Sequence, residues 1–399
     1  MVRPFELPLG KSQRGVVLCL AFALGACGRV SLGSMSDLDG DPAGAGGSTG
    51  DDPSRAGAGG AASAGGSTGG GAASGTGGLG GSVADAGTAG SDTGADAGPS
   101  GPLPPSCADA DLQCGGPSSR ASCCESPLVS GGSFALQADF ATPEGTVPVT
   151  LSSFRLDRFE VNVGRMRAFV SHYEEWRALG QPEQDLGAHP SIPASGWQVP
   201  RFSDQLPASA AELEARLRDC STGPPSTYAE GLSDEVPLNC VSWFEAAAFC
   251  AWDGGRLPTL RELAYAAAGG SLQRVYPWGD EPVPRRELAL FGCIIDADSP
   301  VCTVADITPV GAHPLGAGLF GQEDLAGSMS EWVLDVDAPL DACTDCAAIG
   351  PEEAIRRWRA SSWVDPTELV SNALFFGLPP EVRSNFLGLR CARAESMAP

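Results

Sequence analysis

From Gly28 to about Ser106 the chain is built from Gly, Ala, Ser, Thr and Asp with almost no large apolar side chain. Such a stretch has nothing to bury and cannot offset the entropy of ordering itself, so folding belongs to the residues that follow. As a flexible coil of about 75 residues its root-mean-square reach is roughly 50 Å, enough for a stalk that holds a domain clear of a membrane surface.

Ahead of it, Arg3, Lys11 and Arg14 precede an apolar run from Val16 to Leu24 that is too short to span a bilayer, the pattern of a signal peptide over residues 1–26. The run ends in Leu24-Gly25-Ala26-Cys27, which resembles a lipobox: small residues admit the peptidase, and Cys27 takes diacylglycerol on its sulfur. No later segment approaches a membrane-spanning length of apolar residues. The expectation is an exported chain, lipid-anchored at the outer membrane or cell surface, whose contact with the membrane is the lipid alone.

Lys11 is the only lysine and lies in the segment to be removed, so the processed chain has neither a Schiff-base lysine nor a phosphate-loop lysine. A formal charge of -24 repels phosphate backbones and argues against nucleic acid as a partner. Of fourteen cysteines, Cys19 lies in the signal and Cys27 at the lipobox; the other twelve, an even number in an oxidising compartment, predict up to six disulfides. Cys107, Cys114, Cys123 and Cys124 crowd into a collar over residues 107–126, where the adjacent pair must bond to different partners. The tether therefore spans 27–106, and one domain spans 127–393, large enough for a substantial core.

Within that domain four helices are marked by their ends. Val163, Met166, Phe169, Val170, Tyr173 and Trp176 recur at helical spacing and predict a helix over 163–178. Ser209-x-x-Glu212, Ser242-x-x-Glu245 and Thr259-x-x-Glu262 are capping boxes for three more; the first runs to about Arg218, the second stops at Gly254-Gly255 and the third at Gly269. The remainder is rich in Gly, Pro and Trp with only short strand-like runs, the composition of an irregular α+β fold.

Those residues fall into a familiar order. Phe154 to Val161, Cys240-Val-Ser242-Trp243 through Cys250 to Thr259, Ala266 to Gly270, Tyr276-Pro277-Trp278-Gly279, Phe320-Gly321 to Glu331-Trp332, Arg359 to Trp363 and Gly388-Leu389-Arg390-Cys391 resemble, in sequence, the motifs of the sulfatase-modifying-factor, or formylglycine-generating-enzyme, family. The resemblance implies an irregular C-type-lectin-like fold. Three positions depart from it: Leu260 and Leu263 replace an acid and a tryptophan of the central block, and Ser328 replaces an asparagine.

Enzymes of that family oxidise a substrate cysteine to formylglycine with copper(I) on two cysteines after the Ser-Trp motif, because the cuprous ion prefers soft thiolates. The corresponding positions here are Asp365 and Val370, which cannot replace a thiolate pair. No copper is expected, nor the oxidase activity. The resemblance also implies a structural Ca²⁺ held by the side chains of Asp324 and Glu331 and the carbonyls of Gly327 and Met329, hard oxygens on one loop; the alternative is a solvated acidic turn. It further implies a Cys250–Cys391 disulfide, which would close a loop of about 140 residues and contribute roughly 4 to 5 kcal/mol. Proximity suggests Cys293 with Cys302 and Cys220 with Cys240. Cys343 and Cys346 read as a local disulfide, or alternatively as a redox or soft-metal pair.

His172, His189 and His313 are scattered and read as surface or loop residues without a triad. Trp197 and Tyr228, in a stretch less like the family, are candidates for an exposed binding rim. Two functional readings follow. One is a non-catalytic, calcium-stabilised binding or structural module for a protein or glycan ligand. The other is an active sulfatase-modifying enzyme or related oxidase in which Cys343 and Cys346 take over the thiolate role.

Overall fold

The computed structural model describes residues 103–396 apart from 109–111, 117–119, 138–144, 222–224, 230, 281–283, 294–301, 360 and 373. The signal, Cys27 and the tether up to residue 102 lie outside the described residues. Among the described residues no helix is long and apolar enough to cross a membrane.

The collar carries β1 (Gln113–Cys114) and β2 (Ala121–Ser122). Then come β3 (Leu128–Val129), β4 (Gly132–Gln137), β5 (Thr146–Leu151), β6 (Phe154–Leu156) and the helices α1 (Val163–Ala178), α2 (Ala210–Leu217), α3 (Trp243–Trp252) and α4 (Leu260–Ala267). After a long irregular stretch follow β7 (Ser330–Val336), β8 (Cys343–Thr344), β9 (Arg356–Arg359), β10 (Phe375–Leu378), β11 (Leu387–Gly388) and β12 (Ala392–Ala394). Among the described residues these form four small sheets, ordered β1-β2, β10-β9-β7-β11, β12-β6-β3 and β4-β5-β8. The fold is α+β with short elements, as the composition predicts.

Local chemistry sets the helix ends. Asn162 opens α1 by accepting from the Arg165 amide at 2.9 Å, and α3 and α4 have complete capping boxes on Ser242 with Glu245 and on Thr259 with Glu262. The α2 box is only half made. Ser209 accepts from the Glu212 amide at 3.1 Å, but the Glu212 carboxylate turns to the Ala208 amide and to Arg216. Gly254, at φ +77°, ends α3 in the left-handed region. A side chain on Gly255 would lie 2.7 Å from the Ala392 carbonyl, so the helix end can approach β12 closely only with glycine there.

The core has two main parts. α1 and α3 bring Phe169, Tyr173, Trp176 and Phe249 together with Trp197, Phe202 and Trp243. α4, with β4, β5 and β6, encloses Phe134, Val149, Leu151, Leu260, Leu263 and Tyr265. The departures Leu260 and Leu263 are thus fully buried core residues. Trp197 and Tyr228 are each only 3% exposed, which corrects their reading as a rim. Trp197 packs edge-on against Phe202 and donates to the Ser203 hydroxyl, whereas Tyr228 sits beneath the guanidinium groups of Arg167 and Arg218.

The collar is part of the fold rather than a separate knot. Cys107 pairs with Cys124 and Cys114 with Cys123, and both bridges pack on Phe159 and Val310. Ser106, just before Cys107, is buried too, and its amide donates to Asp253 at 3.0 Å. Four charges meet there. Arg165 reaches Asp157 at 2.9 Å and Asp253 at 2.5 Å, and Arg393 reaches the same two aspartates, Asp253 at 2.7 Å.

His189 lies in a loop, as read, but is buried there: its Nε2 lies 3.5 Å from Glu262, which Arg256 holds through both oxygens at 2.5 and 2.6 Å. Burial would raise the Glu262 carboxyl, but Arg256 and His189 outweigh it and hold it at about 2. The depressed value means that the pair stabilises the fold fully above the ordinary carboxylate value of 4.5 and that this contribution is lost as pH falls towards about 2. Glu262→Gln should therefore cost about 3 kcal/mol at neutral pH and flatten the acid limb in that window. Urea denaturation of both forms across that range checks it; equal acid limbs would refute the assignment.

Candidate functional site

Three segments distant in sequence converge before β7: the glycine-rich loop 320–329, residues 290–293 and the terminal serine loop 361–370. The Ser328 amide donates to the Leu290 carbonyl at 2.9 Å, the Trp363 amide to the Ser328 carbonyl at 2.7 Å, and the Cys293 amide to the Trp363 carbonyl at 2.8 Å. Gly327 donates to the Ser361 hydroxyl at 2.7 Å. Its φ of +78° and the 2.2 Å that would separate an added Cβ from the Leu290 carbonyl leave glycine as the residue that fits.

Asp324 and Glu331 are near enough to feel each other's charge, and a third acid, Glu160, feels both. Glu331, on β7, receives Nε of Arg390 at 2.8 and 3.0 Å. Asp324, itself left-handed at φ +56°, accepts from the Gly311 amide at 2.5 Å. Glu160 reaches in from the β6–α1 connection, accepting from the Ser328 hydroxyl at 2.7 Å and from the Met329 amide at 2.8 Å. In the sequence it is an acid set between the core residues Phe159 and Val161, inside the Phe154-to-Val161 motif. Gly327 and Met329 thus turn their amides to Ser361 and Glu160.

All three carboxyls are pushed up, first by burial. For Glu160 the effect is large, because Asp324 and Glu331 add like charge and Arg390 opposes them only in part. The Gly311 amide and His313 counter it at Asp324, and Arg390 does so at Glu331. Arg390 spends its remaining donors on the carbonyls of Asp157, Arg158 and Glu323 at 2.9 to 3.1 Å, so one guanidinium ties the acid loop to the β6–α1 connection. Among the described residues no three His, Cys, Asp or Glu side chains are arranged to hold a metal ion by themselves.

In the serine loop, Asp365 accepts from the Ser362 amide at 2.7 Å and from its hydroxyl at 2.9 Å, closing its own turn, and burial raises its carboxyl. Val370 is 1% exposed. Neither position offers sulfur. The structure pairs Cys220 with Cys240, Cys250 with Cys391, Cys293 with Cys302 and Cys343 with Cys346. The last pair lies in β8 (Cys343) and just after it (Cys346), beside β5, rather than in the serine loop. A groove of about 420 Å³ lies elsewhere, lined by Leu103, Leu186, Pro190, Gly255 and Arg393 among others.

The model of the sulfatase-modifying factor enzyme 1-like domain family matches residues 115–395. Over 275 residues, 64% of this chain and 82% of the other, the sequence is 33% identical to the Bos taurus protein named inactive C-alpha-formylglycine-generating enzyme 2. It is 29% identical over 217 residues to hercynine oxygenase of Mycolicibacterium smegmatis, covering 52% of this chain and 44% of that enzyme. Among solved structures, PvdO from Pseudomonas aeruginosa aligns at a TM-score of 0.45 and 20% identity over 69% of this chain and 96% of the other.

Removing the shared cation should be costly. Arg390→Met leaves three buried carboxyls without their common partner and should lower stability by about 3 to 5 kcal/mol, read from urea denaturation at neutral pH. A loss below about 1 kcal/mol, the range of an exposed ion pair, would show that the acids do not depend on it.

Proposed function

Because the chain belongs to the sulfatase-modifying factor enzyme 1-like domain family, we propose that its domain keeps the family scaffold as a binding or structural module and does not generate formylglycine. One observation carries this reading. The two positions where the resemblance places copper thiolates hold Asp365, engaged with Ser362, and the buried Val370. A carboxyl and a hydrocarbon do not fit a cuprous ion, which needs soft sulfur ligands to be retained. The alternative reading recruits Cys343 and Cys346, but these are joined to each other at β8, beside β5. The similarity to a relative named inactive points the same way.

Calcium belongs to the same proposal. Asp324, Glu331 and Glu160 offer hard oxygens, and their surplus of negative charge over Arg390 is what a divalent cation would relieve. Asp324 and Glu331 would hold it with the carbonyls of Gly327 and Met329, supplying charge neutralisation to the loop. The lipobox-like run ending in Cys27 and the Gly-rich stretch after it support a lipid-anchored, cell-surface placement in which the domain meets a protein or glycan ligand.

A cysteine-containing sulfatase peptide incubated with the purified chain, copper and oxygen should show no conversion to formylglycine by mass spectrometry, whereas turnover would overturn the reading. Glycan and protein arrays probed with the chain, with calcium and with chelator, should yield a binder. Calcium should also raise the melting temperature by a few degrees, as a site stabilising by 1 to 2 kcal/mol would. Asp324→Asn should abolish most of that rise, and an unchanged melt on chelation would remove calcium from the proposal.

A further inference from the structure

We propose that the Cys343–Cys346 pair is a thiol–disulfide exchange site that takes two electrons from a partner dithiol, and that the fold does not rely on the bond for its shape. Of the six bridges it is the one, among the described residues, in which neither cysteine is buried. Cys220–Cys240 and Cys293–Cys302 each keep one cysteine in the core, and the two collar bridges and Cys250–Cys391 are buried at both ends. A disulfide stabilises chiefly by restricting the unfolded chain, and this one spans a sequence separation of 3, against 9 to 141 for the others. Its contribution to stability is therefore the smallest of the set.

The turn that carries the sulfurs is held by other means. Cys343 and Thr344 pair with Val149 and Thr150 of β5. The Asp345 amide donates to the Thr150 carbonyl at 3.0 Å, and its carboxylate accepts from both the amide and the hydroxyl of Ser152, at 2.7 and 2.6 Å. Asp345 thereby stays in its left-handed conformation, φ +43°, whether or not the sulfurs are bonded. Reduction would leave two thiols preorganised on the same turn. β8 is the outer strand of its sheet, so a partner chain can approach it from the side away from β5.

The exchange balances as follows. A thiolate of the partner attacks one sulfur of the pair; the intramolecular S–S bond breaks, a mixed disulfide forms, and the other cysteine leaves as a thiolate that takes up a proton. The partner's second thiolate then attacks its own sulfur in the mixed disulfide and releases the first cysteine, which is also protonated. The partner dithiol becomes a disulfide, and the pair gains two electrons and two protons. The partner is a protein or small molecule carrying two neighbouring thiols.

Graded dithiothreitol, followed by iodoacetamide and disulfide mapping on the native full chain, tests this. Cys343 and Cys346 should be alkylated at roughly a tenth of the dithiothreitol concentration that opens any other bridge, with the circular-dichroism melt unchanged. Another bridge opening first, or loss of the fold as this one opens, would overturn the proposal. The Cys343→Ser/Cys346→Ser variant should melt like the parent but fail to oxidise a reduced Cys-x-x-Cys peptide, which the parent converts stoichiometrically without oxygen. Equal oxidation by both proteins would also overturn it. Ligand arrays and the sulfatase-peptide assay should give the same result for variant and parent, which separates this test from that of the proposed function.

Discussion

Two arginines and two aspartates, all but removed from water, hold this domain together. Arg165 and Arg393 each bridge Asp157 and Asp253, so the four charges sum to zero and neither aspartate depends on one partner. Burial would raise Asp157, yet Arg393 and Arg165 outweigh it and hold the carboxyl below its ordinary value. Arg165 comes from α1, Asp157 from the turn after β6, Asp253 from the end of α3 and Arg393 from β12. The residue just before the collar joins too, through the Ser106 hydroxyl, which accepts from Nε of Arg165 at 2.9 Å. An interior charge cluster of this kind adds little net stability over an apolar core, but losing one member strands a charge away from water. It therefore penalises any arrangement that does not bring all four elements together.

The last segment of the domain joins this cluster to the acid loop. Arg390 faces Glu331 and its neighbours, Cys391 is bonded to Cys250 of α3, Ala392 exchanges backbone hydrogen bonds with Arg256, and Arg393 completes the quartet. Four consecutive residues thus reach an acidic centre, a helix, the turn after it and a second ionic centre. None of these contacts involves Asp365 or Val370. The hydrogen bonds that tie the serine loop to the scaffold, from Gly327 to Ser361 and from Trp363 to Ser328, likewise leave the side chains of Asp365 and Val370 out, so a chain can retain the scaffold while those two positions carry residues unsuited to copper.

Sequence made the local features legible. Helix ends are set by side chains within three or four residues, and Ser242, Thr259 and Gly254 act where spacing places them. The family motifs marked the acid loop for the same reason, as a run of adjacent residues. What stayed hidden depends on partners far along the chain. Arg165 and Asp253 are 88 residues apart and Arg393 and Asp157 are 236 apart, and no pattern in either neighbourhood announces the pairing. Glu160 was missed as a member of the acid centre because its contacts, Ser328 and Met329, lie 168 and 169 residues away. Trp197 and Tyr228 misled because the stretch from 179 to 236 departs from the family, yet it contributes Phe202, Leu206, Leu213 and Leu217 to the main core and needs its aromatics inside.

The position of Ser106 beside Arg165 bears on how a pull on the chain would travel. Tension entering at Leu103 meets a residue locked to α1 and α3 and, one position later, the covalent link from Cys107 to Cys124. The sulfur link carries that tension from Cys107 straight to Cys124, so β1 and β2, which lie between the two cysteines, are bypassed rather than unzipped.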